Sequence, residues 1–393
     1  MPRTTADSCP GVLRLHQAAD GPLARVRVPG GQLTPEQVQT LAEAAQRLGD
    51  GNIELTSRGN VQLRQVSDAD ALAGLLGAAG LLPSRTHERV RNIIASPLSG
   101  RIGPHPDIRP LVSALDTRLL GSPRLAGLPG RVLFTIDDGR GDVSGLRPDI
   151  GAHAVGDDRF ALVLAGADTG IRVTAADTVD RLLAAAHGFL ELGTGQWRLH
   201  ELDDGAERLI ALLGHSPGRE RVEFGVAAEP PIGWLDQNDG LMALGAGVRL
   251  GSLPARTAEF LAAIERPILI TPWRSLVITD LGEGAAEQVV RVLAPMGLIF
   301  DAASPWLRVS ACAGQPGCAK SLTDIRADAA AAAESGRTTA SQTAAAEAIP
   351  ASAVVTAGRQ HWSGCDRRCG RPAGQVTEVT ATPDGYRVIS PDN

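Results

Sequence analysis

The feature that most constrains this chain is that it repeats itself. Leu55-Thr56-Ser57-Arg58-Gly59-Asn60-Val61-Gln62-Leu63 and Ile270-Thr271-Pro272-Trp273-Arg274-Ser275-Leu276-Val277-Ile278 stand 215 residues apart, and both read as a strand, a polar kink and a second strand. Upstream of the first, Leu23 to Val28 alternates as a strand does, and Gly30-Gly31 marks a turn. Thr34-Pro35-Glu36-Gln37 then opens a helix with a capping residue and an early proline. Apolar positions Val38, Leu41, Ala45 and Leu48 carry that helix to about residue 48. Gly240 to Leu250 and Pro254 to Ile264 play the same parts in the second copy. Asp70 to Ala79 and Ala285 to Ala294 are the closing helices, followed by Gly80-Leu81-Leu82 and Gly297-Leu298-Ile299. A repeat of this length describes architecture. It predicts an α+β fold with two ferredoxin-like β-α-β-β-α half-domains at 1–84 and 216–302. Each is followed by an α/β lobe, at 85–215 and 303–393.

At 393 residues the chain exceeds one comfortable core, which suits such a division. Its net charge of −6 argues against general nucleic-acid binding. Among 38 basic residues the only lysine is Lys320, a bias that codon usage explains and that also supplies many planar forks for carboxylates. No apolar run reaches the ~18 residues of a membrane span. The opening Met1-Pro2-Arg3-Thr4-Thr5-Ala6-Asp7-Ser8 has no apolar core of a secretory leader. The expectation is a cytoplasmic protein, where closely spaced cysteines suggest metal rather than disulfides. The alanine-rich stretch from Ala327 to Ala348 reads as a helix over Ala329 to Ala333, stopped at Gly336 and followed by an exposed loop over Arg337 to Thr343.

Four of the five cysteines form two tight pairs, Cys312 with Cys318 and Cys365 with Cys369. Four thiolates from one chain suit a cubane [4Fe–4S] cluster, one per iron. Structural zinc is the rival, and the five-residue gap of the first pair is loose for it. Gly314, Gly317, Gly364 and Gly370 allow close backbone approach, and Arg367 and Arg368 add positive charge. A helix is expected soon after Cys318 with its positive end toward the anionic site. The fifth thiol, Cys9, either stands alone or borders the pocket. His87, His105, His153 and His361 give no compact His/Asp/Glu trio for a second metal. Gly139-Arg140-Gly141 and Gly193-Thr194-Gly195 read as turns, without the rest of a dinucleotide fingerprint.

The two cysteine pairs resemble the cluster motif of the sirohaem-dependent sulfite and nitrite reductases. Thr56-Ser57-Arg58-Gly59-Asn60 resembles their tetrapyrrole-holding segment, and Arg91-Asn92-Ile93-Ile94 their following Arg-Asn step. Within that superfamily, Cys9-Pro10-Gly11, Ala95-Ser96-Pro97-Leu98-Ser99-Gly100 and His361-Trp362-Ser363-Gly364-Cys365 through Pro372 are similar to the precorrin-3B synthase family. That resemblance implies hydroxylation of precorrin-3A by dioxygen with γ-lactone formation in cobalamin biosynthesis. It also implies a [4Fe–4S] cluster held by Cys312, Cys318, Cys365 and Cys369 and a mononuclear non-haem iron; the sequence does not name the electron donor, for which a ferredoxin and an NAD(P)H-linked reductase are both reasonable. A monomer is expected of a pseudo-twofold chain.

The reductase reading, with resident sirohaem bridged through Cys369, needs positive charges over the iron. Where the reductases carry Lys-x-Lys this chain has Arg131 and Leu133, which lose one charge and alter the other. The same pocket suits a tetrapyrrole substrate instead. Arg58, Arg91, Arg131 and Arg274 would clamp its carboxylates, Asn60 and Gln62 would add hydrogen bonds, and Leu133 would face an apolar ring edge. A non-catalytic cluster protein sensing redox state is the third reading; a duplicated two-lobed scaffold is far more than it needs.

Overall fold

The structure, a computed structural model, describes residues 7, 9–156, 158–193, 195–225, 229–334, 358–372 and 374–390. The Gly336 stop, the loop over Arg337 to Thr343, and most of the opening segment lie outside the described residues.

The fold is α+β, and the repeat is visible in its hydrogen bonds. In the first half the strands Gly21–Val26, Asn52–Leu55 and Val61–Leu63 pair antiparallel, with helices Pro35–Leu48 and Ala69–Ala78 against them. Thr34 caps the longer helix in a reciprocal box with Gln37, so two otherwise orphaned N–H groups are satisfied. In the second half the counterparts are strands Met242–Val248, Ile268–Ile270 and Ser275–Leu281 with helices Ala255–Ala262 and Glu283–Leu293. The two kinks superpose bond for bond. Thr56 N donates to Asn60 O at 2.9 Å and Thr271 N to Ser275 O at 3.0 Å; Gly59 N donates to Thr56 O and Arg274 N to Thr271 O, both at 3.2 Å.

The halves also exchange a strand. Gln32–Leu33 pairs with Ile268–Ile270 of the second half, and Ser252–Pro254 pairs with Asn52–Leu55 of the first. Each exchanged strand follows a tight turn with positive φ, at Gly30 and Gly31 (65° and 73°) and at Leu250 and Gly251 (51° and 72°). Side chains are excluded at Gly31, where a Cβ would overlap Ile270 O. The exchange merges both half-domains into one core, in which Leu41 and Ala45 share a cluster with Ala258 and Leu261.

Each lobe repeats as well. The first has parallel strands Ile93–Ala95, Phe134–Asp137 and Ile150–Gly156, then antiparallel Arg159–Leu164 and Ala167–Thr174, covered by helices Arg109–Leu120, Ala175–Leu192 and Gly205–Leu212. The second has parallel strands Val309–Ala311, Gln360–Ser363 and Thr377–Thr382, then antiparallel Gly385–Ile389, with helix Ile325–Glu334. Trp362, fully buried, centres its core with Val379 and Tyr386. Among the described residues no helix is long and apolar enough to cross a membrane.

Candidate functional site

The cysteine pairs sit at the carboxyl ends of the lobe's two adjacent parallel strands, where α/β sheets collect ligands. Cys312 follows Val309–Ala311 and donates its N–H to Trp362 O at 2.9 Å. Cys365 follows Gln360–Ser363 after one glycine, and Gly364 N points at Cys312 Sγ at 3.3 Å. Gly364 has no room for a side chain, because a Cβ would overlap Ser321 Oγ. Gly317 is pressed against Arg64, whose guanidinium donates to its carbonyl at 3.0 Å while gripping Asp20 at 2.7 Å. The second cysteine loop is pinned by Glu378, which accepts from Arg368 at 2.6 Å and also from Arg371. The helix expected after Cys318 begins at Ile325 and packs its first residue on Gly314.

The four thiols lie within electrostatic reach of one another. Burial pushes the Cys369 thiol up, and the neighbouring Cys312 and Cys365 push it further, with Arg367 opposing and Cys318 adding to the rise. The glycine cradle and the N–H aimed at a sulfur suit an anionic metal–thiolate group held between the two pairs.

Beside the thiols opens a cleft enclosing about 1380 Å³, its mouth included. It runs from the first kink (Ser57, Arg58) across the second (Pro272, Trp273, Arg274) to Val309, Ser310, Gly370 and Arg371 of the cysteine lobe, with Ile94, Leu133 and Leu146 from the other lobe. Seven arginines line it: Arg58, Arg147, Arg198, Arg274, Arg308, Arg359 and Arg371. None of its described lining residues is Asp or Glu. Arg198 is paired with Asp149 at 2.7 Å, Arg359 with Glu229 at 3.9 Å, and Arg371 with Glu378. Arg58, Arg147, Arg274 and Arg308 have no carboxylate partner among the described residues. Burial, and then the charge of Arg198, hold Arg58 down to about 10. Burial and the charge of Arg326 lower Arg274 as well. In both cases burial is the larger cause, and a neighbouring guanidinium adds to it.

The predicted binding residues divide. Arg58, Arg274 and Leu133 line the cleft. Arg274 reaches it from the position that Gly59 holds in the first half, with φ of 57°, and its guanidinium borders Gly370 O at 3.5 Å. Arg91 does not enter the cleft. It is buried and forked onto Asp116 by two bonds of 2.7 Å, beside a different cavity. Arg131 lies outside, stacked on Trp197 at 4.6 Å and 3.8 Å from Asp7. Asn60 is an internal strut, accepting from Val28 N at 2.9 Å and donating to Asn92 at 3.1 Å. Gln62 is likewise consumed, between Arg25 and Glu54. Cys9 is buried under Arg27, which donates to its sulfur at 3.3 Å.

One metal-capable group escaped the sequence reading, because its members are brought together by a turn. Asp137, Asp138 and Asp142 converge within 4.8 Å. The oxygens of Asp137 and Asp138 are already committed, and Asp142 Oδ1 accepts from Ser96 at 2.6 Å. Asp137 accepts from the backbone of Gly139, Gly141, Val143 and Ser144, and Asp138 is forked by Arg140. The group anchors its loop and does not fit an iron.

A sequence profile of the nitrite/sulfite reductase ferredoxin-like half domain matches residues 16–75. The chain is 35% identical over 127 residues to the ferredoxin–nitrite reductase of Synechococcus elongatus, covering 30% of this chain and 25% of that protein. Its fold matches that of Mycobacterium tuberculosis NirA with a TM-score of 0.72 at 19% identity, over 93% of this chain and 74% of that one. Fold and site together liken the chain to enzymes of the nitrite/sulfite reductase superfamily. Within that class a sequence likeness over nearly the whole chain is to a precorrin-3B synthase. The Sinorhizobium sp. protein of that name is 28% identical over 400 residues, covering 97% of this chain and 82% of its own length.

Proposed function

We propose that the chain is an iron–sulfur oxidoreductase of cobalamin biosynthesis that hydroxylates precorrin-3A with dioxygen and closes a γ-lactone to give precorrin-3B. The observation that carries this reading is the cleft: seven arginines, no carboxylate among its described lining residues, and an apolar flank at Leu133, all beside the four thiols. Precorrin-3A is a flat ring rimmed with acetates and propionates, and planar guanidinium forks bind such groups in pairs. Arg58, Arg147, Arg274 and Arg308 have donors to spare for them, and Ile94, Leu133 and Leu146 meet the apolar ring edge. Cys312, Cys318, Cys365 and Cys369 would hold a [4Fe–4S] cluster, which when bound supplies electrons singly to a reaction that triplet dioxygen otherwise performs slowly. The substrate gains one oxygen atom. The second leaves as water, with two electrons and two protons from a ferredoxin or an NAD(P)H-linked reductase. The clamped ring acetate then attacks the adjacent ring carbon, and the arginines contribute by fixing its orientation. The compact carboxylate group at Asp137, Asp138 and Asp142 is engaged by its own loop, so no residue is assigned to a mononuclear iron.

Leu133 on the cleft wall speaks against resident sirohaem and sulfite, since an anion there meets a side chain with no charge to offer. The test is the optical spectrum of protein purified without oxygen, followed by turnover of precorrin-3A. A broad sulfur-to-iron band and oxygen-dependent conversion of precorrin-3A are expected. A persistent Soret band with no conversion would replace this reading by the reductase one.

A further inference from the structure

The duplication supplies an internal control for the cysteine lobe. Ser96 follows strand Ile93–Ala95 as Cys312 follows Val309–Ala311. Asp138 N donates to Ser96 Oγ at 3.2 Å, as Gly364 N points to Cys312 Sγ at 3.3 Å. The first lobe therefore carries the same backbone cradle with a hydroxyl in place of the first thiol. The loop that leaves each cradle is fastened to a half-domain, and the two fastenings differ in kind.

Arg101 and Gly317 stand at matching places, each five residues past the cradle residue. In the first lobe the loop backbone is held by neutral groups. Asn238 of the second half-domain gives its N–H to Arg101 O and its Nδ2 to Gly103 O, both at 2.8 Å. In the cysteine lobe the backbone is held by cations. Arg64 Nη2 donates to Gly317 O at 3.0 Å, and Arg326 Nε to Cys312 O at 3.4 Å. Arg64 belongs to the first half-domain, directly after strand Val61–Leu63, and its side chain is 8% exposed. It forks onto Asp20 by two bonds of 2.7 Å and stands 3.8 Å from Glu54 Oε2. Glu54 Oε1 lies 2.6 Å from Arg326, and Gln62 donates to Glu54 from the neighbouring strand at 3.0 Å. The second half-domain has Leu269 and Thr279 where the first has Glu54 and Arg64, both buried and uncharged. A buried ion cluster is a poor source of stability, because desolvation offsets most of its attraction. What it adds at the cysteine loop, and not at the twin, is positive charge on carbonyls beside the thiols.

We propose that Arg64 and Arg326 are positioning residues for the metal centre. They fix the loop between Cys312 and Cys318 and hold two guanidinium charges against it, which favours the more electron-rich state of a bound cluster. Charge and hydrogen bonding around a cluster set its potential, and outer groups orient its ligands. The first half-domain, which supplies none of the four thiols, thereby helps set how readily the centre accepts an electron. The inference rests on the reading of those thiols as cluster ligands, and is independent of what the cleft binds.

The full chain is loaded with iron and sulfide as wild type, R326Q, R326K and the double variant R64Q/D20N. The Arg326 side chain is 28% exposed, so its replacement leaves the core intact. The double variant exchanges a buried ion pair for a neutral one of the same size and strands no charge. A redox titration followed by electron paramagnetic resonance reads the midpoint of the loaded fraction. R326Q should be reduced at a more negative potential than wild type, and R326K, which keeps the charge, should recover most of that shift. R64Q/D20N should lose half its iron at a chelator concentration about 10-fold below that needed for wild type. An R326Q midpoint equal to wild type, an R326K midpoint shifted as far as R326Q, or an unchanged chelator titration of R64Q/D20N would overturn the proposal. A wild-type chain that takes up no iron and sulfide would overturn the reading of the thiols instead, before any variant is compared.

Discussion

Arg58 and Arg91 look alike in sequence and are sharply separated by the structure, so replacing each by alanine is a direct test of the cleft. Arg58 faces the cleft with no carboxylate partner, and its removal frees a site crowded by Arg198. Folding stability should barely change in R58A. Affinity for a polycarboxylated ring should fall by one charge-assisted bond, about 1.5–3 kcal/mol, which is roughly 10- to 150-fold in Kd. Arg91 is the opposite case. Its side chain is 6% exposed and forked onto an Asp116 that is 18% exposed. Breaking such a pair from one side strands the carboxylate and costs about 3–5 kcal/mol, with the lower figure apt because Asp116 keeps some water. R91A should unfold at distinctly lower urea, bind the ring nearly as wild type does when folded, and be largely rescued by the double variant R91A/D116A. Fluorescence titration with uroporphyrin III at fixed salt, beside urea unfolding, reads both effects. Weakened binding in R91A at unchanged stability, with R58A indistinguishable from wild type, would refute this placement of the cleft.

Four further outcomes are expected. Cys369→Ser should lose both cluster and activity, read as iron and acid-labile sulfide per chain; retention of both would mean the ligands are misassigned. Gly364→Ala should also lower iron and sulfide content, because its Cβ would displace Ser321 and the N–H aimed at Cys312, while the first lobe keeps its fold. Burial, and then the charge of Asp137, push Asp142 up to about 7, so the folded state holds a proton that the unfolded state releases near pH 4. Stability should therefore fall as pH rises from about 4 to 7, by at most about 4 kcal/mol, and D142N should flatten that slope in urea midpoints taken across the range. Leu133→Lys should restore a charge to the cleft without creating sulfite reduction; appearance of that activity would favour a resident sirohaem.

Much of this architecture was legible in the sequence, for physical reasons. Helices such as Pro35–Leu48 announce themselves by a cap, a proline and a periodic apolar face, and the paired cysteines by spacing alone. The kink matched because its threonine serves both copies through the same hydrogen bonds, Arg58 N and Trp273 N each donating to the threonine hydroxyl at 3.3 Å. The strand exchange was hidden: Gln32–Leu33 and Ser252–Pro254 are too short to show a period of two. Arg147, Arg198, Arg308, Arg359 and Arg371 were missed because single arginines carry no pattern in a chain whose basic residues are nearly all arginine. Arg91 was misplaced because its counter-ion sits 25 residues on, within a helix whose orientation no local signal fixes.

The exchanged strands have a historical consequence. Two identical ancestral chains could have traded these arms as a homodimer, but each would then have carried the same residue at both equivalent places. In the fused chain each place is written separately, so one copy holds serine at 96 and the other cysteine at 312. Joining the copies end to end thus allows a lopsided molecule, with paired thiols in one cradle and a hydroxyl in its twin.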